Sequence, residues 1–106
     1  MIDRPLKQQW FQILLALSER DRHGYGIQRM VLKQTEGHMR LWPAMLYRSL
    51  AKLGDAGLIK QVETPTDEPD DERRQYYALT SAGRTLLAEE AELLARWAAA
   101  VRIAGS

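Results

Sequence analysis

The stretch Leu41-Trp42-Pro43-Ala44-Met45-Leu46-Tyr47-Arg48-Ser49-Leu50-Ala51-Lys52-Leu53 constrains this chain more than any other. Pro43 suits the first position of a helix, where its ring fixes φ and its missing N–H would have had no partner. Leu46, Leu50 and Leu53 then recur at i, i+4 and i+7, one apolar stripe that needs a core. The other face carries Ala44, Tyr47, Arg48, Ala51 and Lys52, a mixture of small, aromatic and basic side chains. Gly57 follows as a helix stop. Such a helix either presents an ordinary solvated face or lies in a DNA major groove. The neighbouring segments decide between the two.

Residues 5–19 read as a helix that starts at Pro5, with Leu6, Trp10, Ile13, Leu14 and Leu17 at helical spacing and Phe11 and Leu15 widening the apolar arc. The cluster from Ser18 to Arg22 reads as a turn. In His23-Gly24-Tyr25-Gly26-Ile27 two glycines bracket a tyrosine, which implies a tight turn and a close packing contact. A second helix with Ile27, Met30 and Val31 inward follows and stops near Gly37. His23 has no nucleophile or carboxylate pattern around it, so a capping or packing role is expected rather than catalysis. His38 beside Glu36 is too sparse for a metal site, which needs three or four ligands.

Met39 to Trp42 alternates and reads as a brief extended segment. Leu58 to Val62 and Gln75 to Leu79 read as the two strands of a hairpin. Between them Glu63 to Glu72 holds two prolines and no hydrophobic residue, as an exposed hairpin tip would. Thr80 is the expected N-cap of a last helix. On that helix Leu87, Ala91, Leu94, Ala98 and Val101 alternate steps of four and three, the seam of helix-to-helix pairing. Leu86, Leu93, Trp97 and Ala100 form a second track. One terminal helix cannot bury both tracks on its own small body, so a two-fold homodimer is expected.

The fold class that results is mainly α with a small β-hairpin: a winged helix-turn-helix over residues 1–80 and a C-terminal dimerisation helix over residues 81–106. The length of 106 residues gives one modest core that dimerisation would reinforce. Without cysteine, disulfides and thiolate metal sites are excluded, and no run approaches the ~18 apolar residues of a membrane span. No signal peptide is recognisable, and a cytoplasmic protein that does not engage a membrane is expected. The net charge of +1 hides segregation: residues 1–62 hold ten Lys and Arg against five Asp and Glu, whereas Glu63 to Glu72 holds six acids and no base. A basic body attracts polyanions through its local field. Arg48 and Lys52 are placed to reach phosphates or guanine edges, and Tyr47 a phosphate or a thymine methyl. Arg73 and Arg74, at the hairpin base, are placed to neutralise phosphates. No nucleophile with base and orienting group, phosphate loop or metal cluster speaks for an enzyme or a cofactor. A winged helix used as a protein-protein adaptor is the other reading, and the acidic hairpin tip favours it.

In register, Ile13-Leu14-Leu15-Ala16-Leu17, His23-Gly24-Tyr25-Gly26-Ile27, Pro43-Ala44-Met45-Leu46-Tyr47-Arg48-Ser49-Leu50, Gly57-Leu58-Ile59 and the run from Arg73 to Gly83 resemble the PadR family of bacterial transcriptional regulators. The resemblance implies a winged-helix homodimer joined through C-terminal helices, binding a pseudo-palindromic operator in double-stranded DNA and usually repressing transcription. It implies the short branch of the family, with one C-terminal helix. It places Pro43, Tyr47 and Arg48 on the DNA-reading helix, where Ala44, Met45 and Lys52 are also expected to bind DNA, and Arg74, Tyr76 and Tyr77 on the wing strand. Tyr25 matches a glycine-flanked tyrosine whose hydroxyl either touches phosphate or anchors its helix. Two departures stand out: Gly54 replaces a common acidic residue, and the wing is long and acidic. Trp97 matches a terminal-helix tryptophan that in some short members lines a space for flat aromatic compounds between subunits. Trp10 would face it across the dimer, so a small planar effector is a further expected partner.

Overall fold

The structure, a computed structural model, describes residues 2–63 and 75–105. Four helices, α1 (Gln8–Glu19), α2 (Gly24–Gln34), α3 (Pro43–Asp55) and α4 (Ser81–Gly105), surround strands β1 (Arg22–His23), β2 (Ile59–Val62) and β3 (Tyr76–Leu79). The mainly helical expectation holds, but the sheet has three antiparallel strands in the order β1-β3-β2 rather than two. Arg22 pairs with Tyr77 and His23 with Tyr76, while Ile59 to Val62 run against Leu79 to Tyr76. The extra strand lies where a turn was expected. Arg22 Nε donates to the Ala16 carbonyl at 2.7 Å, which ties the strand residue Arg22 to the last turns of α1 while it pairs with Tyr77 of β3.

The first helix also begins later than Pro5 implies. Residues 4–6 are occupied elsewhere: the Arg4 guanidinium meets the buried Glu90 carboxylate of α4 at 2.6 Å, and the Leu6 N–H donates to the same carboxylate at 3.3 Å. Lys7 stands at the N-cap position, and α1 starts at Gln8.

His23 caps α2 by accepting from the Gly26 N–H at 3.0 Å, as the sequence implies. After α2, Glu36 and Gly37 take positive φ (53° and 82°), so the helix ends just before the expected glycine. The Thr35 hydroxyl donates to Val31 O and accepts from Met39 N, and Gln28 Nε2 donates to Leu41 O at 2.6 Å. Residues 39–42 therefore run as a pinned loop, not as the extended strand expected there. It buries Leu41 and delivers Pro43 to the first turn of α3.

The stripe Leu46, Leu50 and Leu53 is buried in one core with Ile13, Leu14, Leu17, Ile27 and Val31. At about 1.5–3 kcal/mol per buried leucine, this contact fixes which face of α3 points outward. Gly57, at φ +76°, ends the helix before β2. Tyr76 and Tyr77 are both buried, and only Tyr77 belongs to the core. As the central strand, β3 has its Tyr77 face on the core and its Tyr76 edge-on to the His23 ring at 5.2 Å.

Thr80 Oγ1 accepts from Gly83 N at 3.0 Å and caps α4. Gly83, Leu87 and Glu90 are the buried residues of that helix, and from Ala91 to Gly105 every residue but the half-buried Leu93 is exposed. The molecule is 55 Å long in its longest direction and 29 Å in the next, because α4 runs past the body. Leu87 belongs to the core of its own chain, whereas Ala91, Leu94, Ala98 and Val101, expected on the same seam, are exposed. The acidic segment up to Glu72, Arg73 and Arg74 lie outside the described residues, apart from Glu63. Among the described residues no helix is long and apolar enough to cross a membrane, and no group of three or more His, Cys, Asp or Glu could hold a metal ion.

Two glycines should respond in opposite directions to the same substitution. A Cβ on Gly83 would run into the backbone carbonyl of Leu58, whereas one on Gly54 meets nothing within 4 Å. Gly83→Ala should cost about 1–3 kcal/mol or more by overpacking. Gly54→Ala, in an exposed helix interior, should add about 0.4–1 kcal/mol. Urea unfolding checks both; destabilisation by Gly54→Ala would contradict the helical geometry at the end of α3.

Candidate nucleic-acid interface

With its leucines inward, α3 exposes Pro43, Ala44, Met45, Tyr47, Arg48, Ala51 and Lys52 along its length. All six α3 residues expected to touch DNA are thus on one accessible surface. Pro43 opens the helix, and no side chain caps the N–H groups of that first turn. Arg48 and Lys52, one turn apart, put two cations on this surface, with Asp55 a carboxylate at its far end.

Two clefts flank the helix. On one side, Tyr47, Leu50, Ile59, Gln61 and Tyr77 line a space of about 520 Å³ between α3 and the sheet. On the other, Lys7, Trp10, Met45, Arg48 and Lys52 line one of similar volume between α1 and α3. Trp10 is 5% exposed and packed in the protomer's core, with the Lys7 ammonium 5.0 Å from its ring centroid. Trp97 is half-exposed on α4.

Tyr47 is 54% exposed, with its hydroxyl end lying close to α2. It rests over Gly24, where an added Cβ would fall 2.6 Å from the oxygen. The glycine at the start of α2 is there to admit this phenol, the close packing contact that the bracketing glycines implied. Burial pushes the Tyr77 phenol above its ordinary 10.0, neighbouring Tyr47 adds to the rise, and a hydrogen bond with Gln61 opposes it. The folded state therefore holds the Tyr77 proton more tightly than the unfolded chain. Its contribution to stability is complete below pH 10 and is lost as pH rises through the folded value.

Tyr25 is exposed beside this row, its ring stacked with His23 at 6.3 Å and 7°. The Arg29 guanidinium sits 5.7 Å from the Tyr25 ring centroid, and the Arg40 guanidinium 5.5 Å from that of Trp42. Sequence reasoning missed Arg29, Arg40 and Trp42 as surface chemistry. The i, i+4 spacing of Tyr25 and Arg29 was the available signal.

The transcriptional regulator PadR-like family matches residues 13–89 of this chain. A 37.1 kDa protein in a transposon of Streptomyces fradiae is 40% identical over 84 residues, 79% of this chain; the chain spans 22% of that protein's length. A PadR family transcription regulator from Clostridium difficile has a similar fold at TM-score 0.79 and 20% identity, covering 94% of this chain and 100% of its own. Bacillus subtilis PadR, solved in complex with operator DNA, is similar at TM-score 0.65 and 23% identity, covering 78% of this chain and 46% of its own.

The Gly24–Tyr47 contact gives a direct test. Gly24→Ala should displace the end of the Tyr47 ring rather than the backbone, costing about 1–3 kcal/mol. Nitration of Tyr47, read by peptide mass spectrometry, should rise. Unchanged reactivity together with a large loss of stability would contradict the contact.

Proposed function

Since the chain belongs to the PadR-like family of transcriptional regulators, which control transcription rather than catalyse reactions, we propose that it is a repressor that binds a pseudo-palindromic operator in double-stranded DNA as a homodimer. The observation that carries this reading is the outward face of α3, held by three buried leucines and bearing Ala44, Met45, Tyr47, Arg48 and Lys52. Arg48 is the base-reading residue, since a guanidinium can take the O6 and N7 of guanine together. Lys52 contacts phosphate, and Tyr47, steadied over Gly24, meets backbone or a thymine methyl. The operator complex of Bacillus subtilis PadR supports the choice of partner. Arg73 and Arg74 are proposed as further phosphate contacts.

The division of labour is residues 1–80 for DNA and 81–106 for pairing. Ala91, Leu94, Ala98 and Val101 supply the seam; Leu94 and Val101 are 43% and 71% exposed in the single protomer. Exposed apolar side chains repeating at helical spacing are an interface in search of a second copy. A planar aromatic effector would sit against Trp97 within that pair and release the DNA.

Binding to a duplex from the gene's own upstream region, followed by gel shift, tests the function. Arg48→Ala should cost about 1–3 kcal/mol of specific binding and relax the preference for the operator over unrelated sequence. A parent protein with no specific complex, or an Arg48→Ala variant that binds like the parent, would refute the reading and favour a protein adaptor.

A further inference from the structure

The corner where α2 meets the start of α3 carries chemistry that base reading by α3 leaves unused. Tyr25, Gln28 and Arg29 on α2 face Arg40, Trp42 and Pro43 across an open groove of about 390 Å³. Each wall contributes one guanidinium and one exposed aromatic ring, and each guanidinium leans on the ring of its own wall. The supports are themselves anchored. Tyr25 stacks on His23, which is fixed by its cap to Gly26, and Gln28 ties the two walls together through Leu41 O. Among the described residues, no carboxylate lies within ion-pair distance of Arg29 or Arg40.

Two cations without carboxylate partners, held over aromatic faces that are 56% and 63% exposed, are open to a polyanion. A guanidinium stacked on a ring stays charged and keeps its planar fork free for phosphate, and it loses little freedom on binding. The groove is continuous with Pro43, the first residue of the recognition helix.

We propose that the sugar-phosphate backbone of one DNA strand crosses this corner, with Arg29 and Arg40 each taking a phosphate from opposite walls and the Trp42 ring against the adjoining deoxyribose. The proposal rests on the DNA-binding reading and extends it, because it adds two contacts blind to sequence at a fixed distance from the base-reading row. Those contacts set the register in which Arg48 meets its base pair.

Fluorescence anisotropy of the parent and variant proteins on the operator duplex and on an unrelated duplex, across a salt series, is the test. Arg29→Ala and Arg40→Ala should each lower the slope of log affinity against log salt by about 0.9, the value of one neutralised phosphate. Each should weaken binding to both duplexes by the same factor, unlike Arg48→Ala. Arg29→Lys and Arg40→Lys should retain the parental slope, a rescue that a purely structural role would not produce. Unchanged slopes in the alanine variants, with the parent still binding, would overturn the phosphate clamp and leave the DNA reading intact. A parent that binds neither duplex would overturn both.

Discussion

Burial of Leu46, Leu50 and Leu53 against α1 and α2 is the interaction on which the rest of the molecule depends. A helix has one way of hiding such a stripe, and hiding it turns Arg48 and Lys52 to solvent without any further instruction. The loop before α3 then has to deliver Pro43 at the right angle. Gln28 holding Leu41, and Thr35 holding both Val31 and Met39, perform that task with side-chain hydrogen bonds in place of a strand. The groups that would meet nucleic acid are thereby placed by a core they do not belong to. Surface changes there can alter recognition while the fold stands.

The second constraint lies in α4. Its first turns close the body, with Gly83 pressed on the Leu58 carbonyl and Leu87 in the core. The buried carboxylate of Glu90 marks the end of that contact, satisfied by Arg4 and by the Leu6 N–H. A buried charge so paired is costly to disturb, and it fixes the direction in which the remaining turns leave the body. Beyond it Leu94, Trp97 and Val101 are exposed. The same helix thus serves first as core and then as projecting arm.

Much of this was legible in the sequence because it rests on local rules. Proline at the start of α3, glycine at its end, leucines at i, i+4 and i+7, the Thr80 cap and the His23 cap all act within a few residues. The features that were not legible are long-range. Two residues are too few to display alternation, so β1 could be known only from its pairing with β3. Both tyrosines of β3 are buried because β1 makes that strand central. The contacts of Arg4 and Leu6 with Glu90, more than eighty residues away, lie beyond any local rule. Leu87 fits a heptad seam in sequence, but the packing of α4 on the body claims it first. Arg29 and Arg40 read as ordinary solvated cations until the loop brings their rings to one groove.

The central claim is that α4 pairs two protomers so that their α3 helices stand one duplex turn apart. Because the chain has no cysteine, a single Ala51→Cys substitution at the middle of the exposed face of α3 accepts one spin label per protomer. Dipolar spectroscopy should then give one distribution centred near one turn of B-DNA, about 34 Å. Absence of dipolar coupling, or a distance that no whole number of duplex turns can match, would contradict the account.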